Sequence, residues 1–235
     1  MQRRILLLGD SITQESFDAP NGWGAGLASW YVRKADVVNR GFDGYNTRWI
    51  LENRQRIAES VGKGFLLGTL CYGANDNAQT YQFVDLDEYE ANLRTLAQWM
   101  LADLGVERLL IMAPPPYDAV RHTEFRGLPL DKAPRCDERH AAYGDRARKV
   151  AAELGTAFLS LRDVIKAEMG NSWRSALHDG LHFSGEGGKV AGAAVQRAIE
   201  EQLPDCAPER LETLLPLFEA HDPTHSDSKI ETPSN

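Results

Sequence analysis

Four short segments carry residue types that together suit acyl transfer. The first is Gly9-Asp10-Ser11-Ile12-Thr13, where a serine closely follows an apolar run. A serine hydroxyl is a weak nucleophile until a base takes its proton and a third group orients that base. The second segment, Asp179-Gly180-Leu181-His182, offers such a pair, an aspartate three residues before a histidine. Gly180 permits a tight turn that brings the two side chains together. The aspartate can then accept the Nδ1–H of His182 and hold Nε2 toward Ser11. Ser184 suits the N-cap of a following helix, which would fix the segment. An oxyanion needs positioned donors. Gly41, in Asn39-Arg40-Gly41-Phe42, lets a backbone N–H approach a ligand, and Asn75, in Gly73-Ala74-Asn75-Asp76, offers a side-chain NH2. Each segment also has a plainer reading: a serine-capped turn, an exposed loop histidine, a turn glycine, a turn asparagine. Their common placement sets them apart.

That placement comes from the elements. Apolar runs at Arg4–Gly9, Asp36–Gly41, Phe65–Tyr72, Arg108–Ala113 and Thr156–Leu161 read as strands. Between them lie helical patterns: Trp23, Leu27, Trp30 and Tyr31 on one face, then Thr47 to Ser60, Asp85–Leu104 before Gly105, and Asp137–Leu154 before Gly155. Lys189–Leu203 reads as the last core helix. Five strand-then-helix units imply a parallel sheet with helices on both faces, an α/β class. The four segments then meet at one edge, the carboxyl ends of the strands, where open α/β sheets bind ligands. Pro114 to Pro134 holds five prolines and reads as a long loop at that edge. Residues 1–203 form the domain and 204–235 an extension. In the extension Glu209–Ala220 reads as a short helix showing Leu211, Leu214, Leu215 and Phe218, and the last dozen residues read as disordered. The Leu/Phe cluster reads first as packing on the body, with a homodimer contact or a lip of the pocket as alternatives.

With 235 residues, 43% hydrophobic and 26% charged, the composition is that of an ordinary globular domain. A net charge of −8 without a basic block disfavours nucleic acid and anionic membrane surfaces as partners. No apolar run approaches the ~20 residues of a membrane span. Ile5–Leu8 is too short for a secretory core, and three sparse cysteines suit a reducing compartment, so the expected location is cytoplasmic. Cys71 reads as a buried strand cysteine rather than a nucleophile, because no motif puts a histidine beside it.

The four blocks, in this order, resemble the SGNH hydrolases, also called GDSL esterases and lipases. The resemblance runs from residue 5 to about 200. Residues 22–50, LDEYEANL at 86–93 and HDGLHFS at 178–184 are similar to the isoamyl-acetate-hydrolysing esterase group within it. It implies a flavodoxin-like three-layer α/β/α sandwich with a parallel five-stranded sheet. It also implies Ser11 as nucleophile, His182 as base and then acid, Asp179 as its orienter, and the Ser11 and Gly41 N–H groups with the Asn75 amide as oxyanion donors. The family uses no metal or organic cofactor. The serine lies outside a Gly-x-Ser-x-Gly elbow, which disfavours the α/β-hydrolase fold.

The implied partner is a small-molecule ester. Asp10 stands beside the nucleophile as a supporting residue. Leu181, Phe183, Tyr72 and Trp49 are candidates for an apolar cleft wall suited to short-chain esters, with core packing as their other reading. Lysophospholipids and acetylated sugars are alternative substrates. Two readings come from other classes: a catalytically silent binding module, and a metal held by His178, Asp179 and His182. The glycines near this stretch argue against the helix that the metal reading needs.

Overall fold

The computed structural model describes residues 3–18 and 21–218. Five strands, β1 (Arg3–Gly9), β2 (Ala35–Gly41), β3 (Phe65–Cys71), β4 (Val106–Ala113) and β5 (Ala157–Ser160), form one sheet in the order β2-β1-β3-β4-β5. Every pairing is parallel. Ile5, Leu6, Leu7 and Leu8 of β1 are all fully buried, as a central strand covered on both faces requires. Each such side chain contributes up to about 1.5–3 kcal/mol through burial.

Between the strands run α1 (Ser11–Gln14), α2 (Trp23–Trp30), α3 (Thr47–Val61), α4 (Leu86–Ala102), α5 (Ala119–Arg126) and α6 (Asp137–Leu154), and after β5 come α7 (Leu161–Met169) and α8 (Gly185–Gln202). Alternation along β1 sends Leu6 and Leu8 to one face, packed with Ile50 and Ile57 of α3, Leu93 of α4 and Val150 of α6. Ile5 and Leu7 face the other layer, with Trp23 and Leu27 of α2, Leu161 of α7 and Val195 of α8. This is the three-layer α/β/α sandwich expected from the sequence. The order reverses at β1, with β2 on one side and β3 on the other. Gly9 is in register with Gly41 and Cys71, so three strands end level at that switch point.

Several elements differ from the sequence reading. The segment 114–134 is not structureless. Asp118 caps α5 through Arg121 N at 3.3 Å, Gly127 ends it in the left-handed region, and the prolines only flank it. A 3-10 turn at Leu130–Lys132 follows. α7 and a 3-10 segment, Gly170–Ala176, fill the stretch between β5 and the Asp179 loop. α8 starts at Gly185 rather than Lys189, because Ser184 caps Gly187 N at 3.2 Å although the glycine-rich first turn has poor helix propensity.

The short helix expected at Glu209–Ala220 is not seen over 209–218. After a 3-10 turn at Pro208–Arg210 the chain is held by its carbonyls: Lys34 Nζ donates to Leu211 O, and Arg33 Nη2 to Leu215 O and Pro216 O at 2.8 and 2.7 Å. Leu211 is buried, whereas Leu214, Leu215 and Phe218 are exposed, so packing on the body holds for the first of them only. Residues 219–220 and the expected disordered end lie outside the described residues. No helix among the described residues is long and apolar enough to cross a membrane.

Candidate active site

β1 ends at Gly9 and the chain turns at once into α1. Asp10 makes that turn by capping the helix, its Oδ1 accepting from Ile12 N at 3.0 Å. Ser11 thus becomes the first helical residue, directly above the sheet edge. Trp23 Nε1 donates to Ile12 O at 2.9 Å and Asn39 Nδ2 to Thr13 O at 2.9 Å, pinning α1 from both sides.

The Asp179 loop reaches the same point from the other end of the chain. His182 Nε2 lies 2.9 Å from Ser11 Oγ, and its Nδ1 lies 2.8 Å from Asp179 Oδ2. The second oxygen of Asp179 accepts from the N–H groups of Leu181 and His182 at 2.9 and 2.8 Å. Burial pushes the Asp179 carboxyl upward, but the His182 ring and these two N–H groups hold it well below the usual range. Burial also disfavours the His182 cation. The hydrogen bond and charge of Asp179 outweigh this, so the imidazole titrates above its ordinary 6.5.

The Asp-x-x-His spacing alone does not make this pair. Asp137 and His140 have it too, inside α6, yet Asp137 pairs with Arg162 and Lys166, and His140 Nδ1 meets Pro115 O. Gly180 makes the difference. It sits at φ +88°, and a Cβ there would come within 2.5 Å of Asp118 O and His122 N. Only a glycine gives this turn and lets α5 pack on it.

Asn75 lines the cleft above Ser11 together with Gly44, His122 and Arg135. Its Oδ1 accepts from Arg135 Nη2 at 3.0 Å and its Nδ2 donates to Tyr45 O at 3.0 Å, which fixes the amide and leaves its second N–H unspent. Gly41 is elsewhere. Its N–H donates to Asn39 Oδ1 at 2.8 Å, and its missing side chain makes room for α1, whose Gln14 N would lie 1.9 Å from a Cβ. Gly41 is therefore a packing glycine, not an available donor. Gly44, three residues on at φ +75°, lines the cleft, and among the described residues no hydrogen bond engages its N–H.

A model of the GDSL-like lipase/acylhydrolase family matches residues 7–190. A GDSL esterase/lipase of Arabidopsis thaliana is 35% identical over 95% of this chain and 95% of its own. The isoamyl acetate-hydrolyzing esterase 1 homolog of Mus musculus is 39% identical over 77% and 75% of the two chains. The chain belongs to the GDSL-like lipase/acylhydrolase family. It is accordingly a carboxylic ester hydrolase. The isoamyl acetate-hydrolyzing esterase of Saccharomyces cerevisiae is 31% identical over 89% of this chain and 91% of its own. Among solved structures, the lipase/acylhydrolase of Enterococcus faecalis has a TM-score of 0.67 at 23% identity, covering 92% of this chain and all of the other, and so shares the fold.

Within this GDSL-family cleft the apolar candidates separate. Leu181 lines it. Tyr72 does not: its ring is in the core, its hydroxyl donates to Gly9 O at 2.8 Å, and it steadies the end of β1 instead. Phe183 lines a neighbouring hollow with Ile12, Trp23 and Ser184. Trp49 stacks on Tyr81, whose ring is the part that reaches the cleft. The wall is polar and charged where an apolar one was expected.

His178, Asp179 and His182 present ligand atoms within 4.8 Å of one another. A metal there would have to take a His182 nitrogen that is already engaged, Nδ1 with Asp179 or Nε2 with Ser11. Cys71 is buried, and burial pushes its thiol well above the ordinary value. Sequence reasoning passed over Arg135 and Asp76. Asp76 accepts from Thr47 N and Oγ1 at 2.9 and 2.5 Å, tying the Asn75 turn to the start of α3.

Proposed function

We propose that this chain is a serine esterase acting on small, short-chain esters of the acetate type, through Ser11, His182 and Asp179. The observation that carries the reading is the unbroken line from Ser11 Oγ through His182 to Asp179, at 2.9 and 2.8 Å. His182 Nε2 takes the Ser11 proton as Oγ attacks the ester carbonyl. The oxyanion is met by the N–H groups of Ser11 and Gly44 and by the free N–H of Asn75. Gly44 takes the part first expected of Gly41. His182 then returns the proton to the leaving alcohol, and water, activated by the same imidazole, releases the acid. Asp179 keeps Nδ1 protonated and Nε2 ready to accept.

The substrate class is supported by the relatives named for isoamyl acetate hydrolysis and by a cleft of about 650 Å³, room for a small ester. The test is hydrolysis of p-nitrophenyl acetate, butyrate, octanoate and palmitate, with EDTA present. The expected outcome is a preference for acetate and butyrate that EDTA leaves intact. Preference for palmitate, or activity lost to EDTA and restored by a divalent metal, would overturn the reading.

A further inference from the structure

The chain has a net charge of −8, yet one wall of its cleft is cationic. Arg126, at the end of α5, and Lys132 and Arg135, from the segment joining α5 to α6, all line it. Two carboxylates share the lining, Asp43 and Asp179, and Asp179 is spent on His182 and two backbone N–H groups. Arg135 is the unusual member. It is only 7% exposed, and among the described residues no carboxylate comes within ion-pair distance of it. Its Nε donates to Ala74 O at 2.7 Å and its Nη2 to Asn75 Oδ1 at 3.0 Å, while Nη1 makes no hydrogen bond among the described residues.

A guanidinium withdrawn from water without a counter-charge is costly. Burial weakens its hold on the proton and Arg126 adds like-charge repulsion, while the more distant charges of Asp10 and Asp179 offset this only in part. Among the described residues the one ion pair of Lys132 is with the exposed Asp131, at 3.8 Å. His122, also buried and lining the cleft, has an Nδ1 without a partner. A neutral acetate ester leaves all of these groups unmatched.

Resting on the esterase reading above, we propose that the preferred ester carries an anionic group, a carboxylate or a phosphate, matched by Arg135 with Arg126 and Lys132. A planar guanidinium with a free Nη1 suits either anion. Arg135 also holds the Asn75 amide, so the anion site lies one side chain from the proposed oxyanion donor.

The experiment compares kcat/KM in two matched pairs. Monomethyl glutarate is set against methyl pentanoate, and 2-acetoxyethyl phosphate against 2-methoxyethyl acetate, with p-nitrophenyl acetate as reference. In at least one pair the charged ester is expected to be favoured by about tenfold, the scale of a charge-assisted bond. The pair that responds tells carboxylate from phosphate. In that pair the ratio narrows in about 0.5 M NaCl through screening. The ratio also falls severalfold in the double variant Arg126→Gln, Lys132→Gln. Charged esters no better than their neutral partners, while p-nitrophenyl acetate is hydrolysed, overturn the anion site and leave the esterase reading standing. Failure on every ester overturns both.

Discussion

Asp179 both orients His182 and raises its pKa, and the two effects separate in a pH profile. In the proposed mechanism the free enzyme needs neutral His182 to accept the Ser11 proton, so kcat/KM is expected to fall as pH drops through the histidine pKa, which lies above its ordinary 6.5. Asp179→Asn removes the charge that lifts that pKa and leaves burial, which lowers it. The midpoint is expected to move to lower pH while the plateau drops by ~10^4-fold, because Nδ1 then loses its acceptor. A plateau drop with no downward shift would mean that Asp179 only shapes the loop. At this scale the sequence was legible in that Ser11, Asn75, Asp179 and His182, singled out by residue type, are brought to one cleft. It misled at Gly41, because a glycine required by the approach of α1 reads the same as one that frees an N–H. Arg135 was invisible, since nothing local marks an arginine whose partners lie some sixty residues away.

The strands and long helices were legible because burial leaves apolar runs and because signals such as the Asn46 and Asp85 caps of α3 and α4 and Gly155 after α6 mark their ends. α6 begins and ends as its pattern predicts, at Asp137 and Leu154 before Gly155. α5 was not legible: it is short, flanked by prolines, and held by tertiary contacts. Those contacts give it a purpose. Asp118 N donates to Gly180 O at 2.9 Å, and Arg121 donates to His178 O and Arg174 O at 3.0 and 3.2 Å, so α5 buttresses the loop that carries Asp179 and His182. Gly180→Ala would meet both a left-handed backbone and the α5 main chain at 2.5 Å. The expected result is a fold kept at lower stability, with kcat down at least 100-fold as the loop shifts His182 away from Ser11. Circular dichroism and kcat on p-nitrophenyl acetate check it. Wild-type kcat in this variant would mean that the buttress does not set the site's geometry.

For the whole molecule, the buried acids at the switch point set how stability depends on pH. Burial pushes Asp10 up to about 7 and Asp76 up to about 6. An acid whose folded pKa is raised holds its proton more tightly in the folded state, so stability is lost as pH rises between 3.8 and those values. His182, also raised, contributes stability below 6.5 that is lost as pH rises through its folded value. Asp179 and Glu90 act oppositely. Their folded pKa values are lowered, Glu90 to about 2 by Lys149, Arg146 and Arg94, so their contribution is lost as pH falls below about 4. The Tm is therefore expected to peak at about pH 4, where the two sets cross, and to decline toward pH 8. Asp10→Asn keeps the helix cap without the charge, so it is expected to raise the Tm at pH 8 by at least about 3 °C and to change it less at pH 5. Thermal melts at both pH values check this, and an equal shift at both would remove Asp10 from the account.

The measurement that bears most directly on the central claim is peptide-resolved mass spectrometry after reaction with an alkyl fluorophosphonate, which traps an activated serine as a stable ester. One phosphonyl group on Ser11, gained in step with the loss of esterase activity and absent from His182→Ala, is the predicted result. Labelling at another residue, or full esterase activity in Ser11→Ala, would contradict it.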